Sequence, residues 1–388
     1  MFALKANMLV FLTVYLTVYA LLNLYVFRWL KPAFDWHLRG SLFFAAFVAI
    51  MIGLTLIVKW CDRKDYFLLA QVSSVFAYTW MVIVMWIFTF GMLAEFWNLF
   101  IAVFSLHFHS LASLRLMPRV FAGLIAVLSC VLVAWGTVER QNIRLKTIYI
   151  NTSKFPKGTP PLKVLQLSDL HLSPLVGKHH VDRVLRLIEQ AKPDVLVCTG
   201  DMVDSQSDER MGDYAVRFAL LASPTNRFAI LGNHEFYSGV DSSLYFYKIA
   251  GFKVLREENV TINHNGTDMV IAGVDDSSGG RIGGECRSDE NVALPHVANR
   301  PFTILLKHQP DTSRSIGRFD LQLSGHTHGG QVFPFHFYVW LFHPNFRGLH
   351  VLSDGSQLYT NPGIGTWGPP IRVFAPPEVT LFIIQPKE

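Results

Sequence analysis

The stretch KVLQLSDLH, Lys163–His171, sets the pattern for the larger part of this 388-residue chain. A short apolar run of strand-like length and branched content stops abruptly at Ser168, and the next polar positions are Asp169 and His171. The same arrangement recurs downstream. Asp194–Cys198 ends at Gly200-Asp201, and Arg227–Leu231 ends at Gly232-Asn233-His234-Glu235. Phe302–Leu306 ends at Lys307-His308, and Asp320–Leu323 ends at Gly325-His326-Thr327-His328. Between the first two runs, Val181, Val184, Leu185 and Ile188 recur at helical spacing and Pro193 follows; Tyr214, Phe218 and Leu221 repeat this more loosely before the third. Strand–helix–strand alternation predicts a largely parallel sheet with helices on its faces. In such sheets ligands gather at the carboxyl ends of the strands, where all five of these polar motifs fall. Asn265-Gly266, between Val260–Ile262 and Met269–Ala272, predicts a hairpin and a further antiparallel portion of sheet.

Each motif alone has an ordinary explanation. An Asp-x-His pair is common by chance, and single histidines decorate many solvated loops. Gly-Asn-His-Glu is sharper, because it sets a neutral oxygen ligand beside a proton donor. Gly-His-Thr-His is sharper again: alternate residues of an extended segment point the same way, so His326 and His328 are expected to converge on a metal cluster. Five such motifs, each after a strand, describe an assembled site, and twelve of the fifteen histidines follow residue 150.

In kind and order, Asp169-x-His171, Gly200-Asp201-x-x-Asp204, Gly232-Asn233-His234-Glu235, His308 and Gly325-His326-x-His328 resemble the calcineurin-like metallophosphoesterase superfamily. The resemblance covers roughly residues 160–388. Gly325–Gln331 and the closing Gly363–Arg372 stretch (GIGTWGPPIR) are similar to the branch often attached to membranes. It implies an α/β fold built as a two-layer β-sandwich flanked by helices. It also implies that Asp169, His171, Asp201 and His328 hold one metal, and that Asp201, Asn233, His308 and His326 hold a second, with Asp201 bridging.

Elementary charge arithmetic agrees with that assignment. Two divalent ions bring four positive charges, and Asp169 and Asp201 return two negative ones. The remainder suits a hydroxide and a singly charged phosphodiester. Imidazole, carboxylate and amide ligation without thiolate suits manganese, iron or zinc and argues against calcium. His234, beside Asn233 but not itself a ligand, is expected to donate a proton to the leaving oxygen or to stabilise transition-state charge. Asp204 is expected to orient a ligand rather than bind metal. Arg372 follows a Gly/Pro-rich loop and either reaches substrate phosphate with paired donors or ends a turn at the surface. Phe333–Phe342 (FPFHFYVWLF) either lies on a bilayer or receives an acyl chain, or else packs within the protein.

The preceding third has another character. The chain is 51% hydrophobic and 16% charged, with mean hydropathy +0.30, and the excess lies between Met8 and about Val138. Met8–Phe27, Ser41–Val58, Tyr66–Leu93, Phe96–Ala112 and Val120–Thr137 approach the ~20 residues that span a bilayer core. Four or five spans are expected in an all-α membrane domain over residues 1–145, followed by a catalytic domain over 158–388. The first run has no small-residue cleavage site and reads as retained. The fourth run is the weakest, because His107 and His109 sit in it and read better as interfacial groups near Arg115. Counted as five spans with Lys59, Arg63, Lys64, Arg115 and Arg119 inside, the chain leans toward a cell inner membrane with the catalytic domain outside the cytoplasm, although Arg28, Lys31 and Arg39 count against this.

Net charge +5 and pI about 8.9 fit a protein beside anionic lipid and give no call for nucleic acid. Cys61, Cys130, Cys198 and Cys286 have neither disulfide nor zinc-site spacing. The sequons at Asn151, Asn259 and Asn265 carry no weight without a secretory setting. The expected activity is hydrolysis of a lipid-linked or envelope phosphodiester or pyrophosphate by a membrane-held pair of ions. The alternatives are a nucleotide or protein phosphomonoesterase, or a receptor whose hydrolase-like domain only binds. A missing ligand or a missing His234 would favour the receptor, and neither is missing. Transport by the spans themselves is weakened by their lack of buried charged residues.

Overall fold

The computed structural model describes residues 2–62, 66–173, 176–204, 209–281, 288–294, 300–312 and 316–387. Cys286, Arg63 and Lys64 lie outside them; among the described residues Cys61, Cys130 and Cys198 are free thiols. The chain divides into two compact units, one of Met1–Trp135 with Gly368–Pro370, the other of Gly136–Trp367 with Ile371–Glu388.

The first unit is helical. Its elements are α1 (Phe2–Ala33), α2 (Leu38–Asp62), α3 (Phe67–Phe104) and α4 (Pro118–Gln141), which runs on into the second unit. Among the described residues these four are the helices long and apolar enough to cross a membrane. Their mutual contacts are aromatic and aliphatic, centred on Tyr19, Trp29, Phe44 and Ile87, and Trp80 Nε1 donates to Asn23 Oδ1 at 3.0 Å. The fourth apolar run forms no long helix of its own, so among the described residues four helices, not five, are candidate spans. It continues α3 to Phe104, because Glu95 interrupts the hydropathy but not the helix, glutamate being a good helix former. Glu95 pairs with Arg28. His107 and His109 lie exposed beyond the helix end.

The second unit contains β1 (Arg144–Thr152), β2 (Leu162–Leu167), α5 (Lys178–Ala191), β3 (Val195–Cys198), α6 (Glu209–Ala219), β4 (Asn226–Ala229), α7 (Asn233–Ser238), α8 (Val240–Ile249), β5 (Lys253–Val254), β6 (Glu258–His264) and β7 (Thr267–Gly273). There follow α9 (Ser278–Arg281), α10 (Glu290–Ala293), β8 (Phe302–Leu306), β9 (Leu321–Ser324), α11 (Phe335–Phe342), β10 (Gly348–Val351), β11 (Gln357–Thr360) and β12 (Glu378–Pro386).

Two six-stranded mixed sheets result, ordered β1-β12-β2-β3-β4-β5 and β10-β11-β9-β8-β7-β6. In the first, β2, β3, β4 and β5 run parallel, as the strand–helix alternation predicts; in the second, β7, β8, β9 and β11 do. The Asn265-Gly266 turn joins β6 to β7 as an antiparallel hairpin, with both turn residues at positive φ (50° and 84°). Strand β1 lies ahead of the expected catalytic start at residue 158, yet it belongs to the first sheet, paired in parallel with β12.

The inner faces of the sheets interlock through Val164, Val195 and Ile230 on one side and Ile271, Ile304 and Leu323 on the other. Helices α5, α6 and α8 cover the outer face of the first sheet through Val184, Ile188, Phe218 and Phe246. The architecture is a two-layer β-sandwich flanked by helices, and the carboxyl ends of β2, β3, β4, β8 and β9 come together at one edge.

Candidate metal centre

Five of the expected ligands occupy positions that side-chain-bearing residues rarely adopt. Asp169 (φ 51°), His171 (49°), Asp201 (51°), His326 (70°) and His328 (51°) all lie in the left-handed region, immediately after their strands. Residues held there cluster at functional sites, because surrounding contacts must over-determine them. His326 and His328 therefore meet the site by consecutive left-handed turns, with Thr327 right-handed between them, and not by the alternation of an extended strand. The expectation that they converge holds; the geometry inferred for it does not. They also face different groups.

One group gathers Asp169, His171 and His328, a second gathers Asp201, His308 and His326, and a third gathers His171, Asp201 and His234. In the first, His171 Nε2 and His328 Nε2 face each other at 3.0 Å, and His328 Nε2 lies 3.5 Å from Asp169 Oδ1. In the second, Asn233 Oδ1 lies 3.0 Å from His326 Nδ1 and 3.1 Å from His308 Nε2, which is 3.1 Å from Asp201 Oδ2. The same Asp201 oxygen is 3.8 Å from His171 Nε2, so Asp201 stands between the groups. All of these side chains are buried except His326, which is partly exposed.

Donor chemistry tests whether cations fit. Two imidazole nitrogens pointed at each other across 3.0 Å, beside carboxylate and amide oxygens, are a converging set of lone pairs. Burial, with His308 as neighbour, holds His326 down to about 4, and burial with His171 holds His328 well below the ordinary histidine value. Both rings are thus neutral at physiological pH, the state a metal ligand needs. His308 runs the other way: burial would lower it, but the carboxylates of Asp201 and Asp169 raise it well above its ordinary range. The residues fit metal ions, and a divalent ion would displace the proton that His308 otherwise keeps.

His234 lies at the first turn of α7, its backbone N–H donating to Asp201 Oδ1 at 2.9 Å. Its ring packs edge-on to His171 at 4.6 Å between centroids, and its Nδ1 bonds Asp204. Asp204 also approaches His171 Nδ1 at 3.6 Å, so one carboxylate serves both rings. Burial would depress His234, but Asp201 and Asp204 outweigh it and push it up to about 9. Without metal the histidine is therefore held toward its protonated form.

Glu235, the last residue of the Gly-Asn-His-Glu motif, has a structural part that the motif alone does not show. It is fully buried, and it accepts from the backbone N–H groups of Asp201 (2.9 Å), Met202 (2.7 Å), Val203 (3.1 Å) and Gly232 (2.8 Å) and from the Tyr247 hydroxyl (3.2 Å). One carboxylate thus caps α7 and fastens the Asp201 loop to the Asn233-His234 turn. The signal available in sequence was an acid three residues after Gly232.

Arg372 corrects an expectation. It is wholly buried, and its guanidinium donates to the carbonyls of Gly365 (2.6 and 2.8 Å), Pro362 (2.9 Å), Ala375 (2.9 Å) and His328 (3.4 Å), with Nη2 3.3 Å from His328 Nδ1. Its donors are turned to these loops, so it does not reach out to a phosphate, and it is not a turn residue at the surface either. It braces the segment that carries His328.

The chain is matched over residues 162–330 by the family model described as calcineurin-like phosphoesterase. It is 41% identical over 256 residues to an uncharacterized metallophosphoesterase of Aquifex aeolicus, covering 66% of this chain and 96% of that one. An uncharacterized metallophosphoesterase of Helicobacter pylori (strain 26695) is 33% identical over 253 residues, covering 64% of this chain and 65% of its own. A transmembrane protein with metallophosphoesterase domain from Bos taurus is 32% identical over 252 residues, covering 62% and 56%. The chain thus spans nearly all of the first relative and somewhat under two thirds of the other two.

Proposed function

This chain belongs to the calcineurin-like metallophosphoesterases and is a membrane phosphoric ester hydrolase, and on that premise we propose that it holds two divalent ions and cleaves phosphodiesters or pyrophosphates, most fittingly of a lipid-linked or envelope substrate. The observation that carries this reading is the pair of ligand groups with Asp201 between them and His234 beside Asp201 and His171. Asp169, His171, Asp201 and His328 are assigned to one ion, and Asp201, Asn233, His308 and His326 to the other. Manganese, iron and zinc all suit this nitrogen and oxygen set. When bound, such ions act as Lewis acids toward the phosphoryl oxygens and make water acidic enough to attack at neutral pH.

The chain's own groups do the rest. Asp204 fixes the ring orientation of His234 and keeps its proton in place. His234 delivers that proton to the departing oxygen, or stays protonated and offsets charge on the phosphoryl group. Glu235 and Arg372 keep the two ligand-bearing loops in register. A lipid-linked substrate is favoured because a membrane-held site meets headgroup phosphates without their leaving the bilayer.

Purified full-length protein, stripped and reloaded with manganese, zinc or iron, tests this reading with a chromogenic phosphodiester set against the matching monoester. Faster turnover of the diester is expected. A monoester preference would move the substrate class to nucleotide or protein phosphates, and inactivity with all three metals would sink the enzyme assignment.

The extracytoplasmic placement rested on five spans and loses its premise with four. An even count sets the catalytic unit on the side of the residues that precede α1. Lys59, Arg63 and Lys64 beyond the second span, with Arg140 at the end of the last span and Arg144, Lys146 and Lys154 after it, share that side, against Arg28, Lys31, Arg39, Arg115 and Arg119. By the positive-inside rule that side is the cytoplasm. A C-terminal fluorescent protein that matures only there is expected to light up, whereas activity of a C-terminal alkaline phosphatase would reverse the orientation.

A further inference from the structure

From Val332 to Phe346 the chain carries no Asp, Glu, Lys or Arg, and within this run α11 exposes large apolar side chains all round. Phe335, Phe337, Tyr338, Trp340, Leu341 and Phe342 are between 43% and 67% exposed, and no residue of the helix is buried. The helix lies over an apolar groove of about 500 Å³ lined by Phe333, His336, Phe346 and Phe374, with the exposed Arg347 at its rim. Phe374 extends the patch: it is half exposed, its ring is 5.9 Å from Phe333, and it keeps a left-handed backbone (φ 60°) to stand there. Scattered exposed apolar residues are ordinary, but a contiguous aromatic patch of this kind marks an interaction surface.

The patch is fastened to the metal centre. His343, directly after α11, sets its ring 5.6 Å from that of His326. Thr327, between the two ligand histidines, donates its hydroxyl to the Phe346 carbonyl at 2.6 Å. A β-carbon on Gly330 would lie 2.7 Å from the backbone of His336, so the ligand loop and the helix are in van der Waals contact. Whatever covers α11 therefore lies within a few side chains of the ions.

We propose that α11 and Phe374 seat in the headgroup zone of the bilayer that already holds this protein, so that the metal centre works at headgroup depth; the proposal rests on the reading of the chain as a membrane phosphoesterase. The aromatic composition is that of interfacial anchors, which bury their apolar faces roughly 5–10 Å into the headgroup and acyl boundary. Arg347 supplies a cation at the rim for an anionic headgroup. The four apolar helices ensure that a bilayer is present wherever the catalytic unit is. A hydrolase docked in this way takes its phosphate from lipid that stays in the membrane.

The full chain, reconstituted into phosphatidylcholine/phosphatidylglycerol vesicles, tests the docking without reference to substrate. With Cys61, Cys130 and Cys286 replaced by Ser, an environment-sensitive fluorophore is placed at Leu341→Cys, and in a control at Leu220→Cys, which is also exposed. Lipids brominated near the headgroup are expected to cut emission at position 341 about twofold or more, as for a side chain within the interface, and to leave position 220 unchanged. Adding Phe337→Ser and Trp340→Ser is expected to abolish the quenching while turnover of the soluble diester persists, which also reports that the variant is folded. No quenching at 341, equal quenching at both positions, or a reducible dimer through Leu341→Cys in its place would overturn the docking. Failure of the soluble diester assay in the parent protein would instead overturn the enzyme reading.

Discussion

At the scale of single residues, His234 and Asp204 form the pair on which turnover is proposed to depend. His234→Ala is expected to keep both metals, measured by elemental analysis, while kcat falls by roughly 10²–10⁴. Normal turnover in a metal-loaded variant would remove the role. Titration of the metal-free protein gives a second check. With Asp201 and Asp204 raising His234 to about 9, the ring is expected to lose its proton near that pH when followed by NMR. Asp204→Asn removes one of the carboxylates that raise it and should move this titration to lower pH. In the metal-free protein the same shift stabilises the fold fully below about 6.5, and that contribution is lost as pH rises through about 9. Glu235→Gln turns amide hydrogens toward backbone N–H donors in a fully buried position. It is expected to lower stability by about 2 kcal/mol or more in denaturant titration and to weaken metal loading. That the seven expected ligands and His234 come together was legible in the sequence because each follows a strand in a fixed order. Glu235 was not, because a buried carboxylate that serves backbone groups looks, in sequence, like any helix-starting acid. Arg372 was misjudged for a related reason: arginine beside a Gly/Pro-rich loop reads as a phosphate ligand, and only burial reveals that loop carbonyls take its donors.

At the scale of elements, the strand ends determine where the chemistry sits, and they can do so only if nothing intervenes between loops. Gly232 makes the point: a β-carbon there would lie 2.2 Å from Asp201 Oδ1 and 2.7 Å from the Asp201 nitrogen. Gly232→Ala must therefore displace the Asp201 carboxylate. A loss of metal stoichiometry and of diester turnover is expected, and a variant that bound two ions normally would refute this account of the loop packing. Strands β2, β3, β8 and β9 were readable as apolar runs because they are buried on both faces. Strand β1 was not, since its residues are largely exposed and its partner β12 comes from the other end of the unit. The Gly-Asn-His-Glu segment begins a helix that the strand-end pattern does not announce, because the Glu235 cap that creates the helix start is itself a tertiary arrangement.

At the scale of the whole molecule, the membrane unit and the catalytic unit are held to different rules. Ions bound by the folded catalytic unit and not by its unfolded chain stabilise it by mass action, about 4 kcal/mol at a thousandfold excess over Kd. Chelation is therefore expected to lower the thermal midpoint of the full-length protein in detergent, with recovery on adding back metal. An unchanged midpoint would argue that the ligand groups do not hold ions in the folded state.

The sequence by itself determined the family and the existence of a membrane unit and pointed to the candidate ligands, because strand-end motifs and long apolar runs are local patterns whose chemistry does not depend on distant partners. The proposed two-metal reading starts from that ground. Tertiary structure decided what depends on neighbours remote in the chain: four helices in place of five runs, Glu235 and Arg372 as internal braces, and the aromatic helix left uncovered beside the ligand loop. Burial and contact are properties of the packed chain, and no spacing of residues encodes them alone.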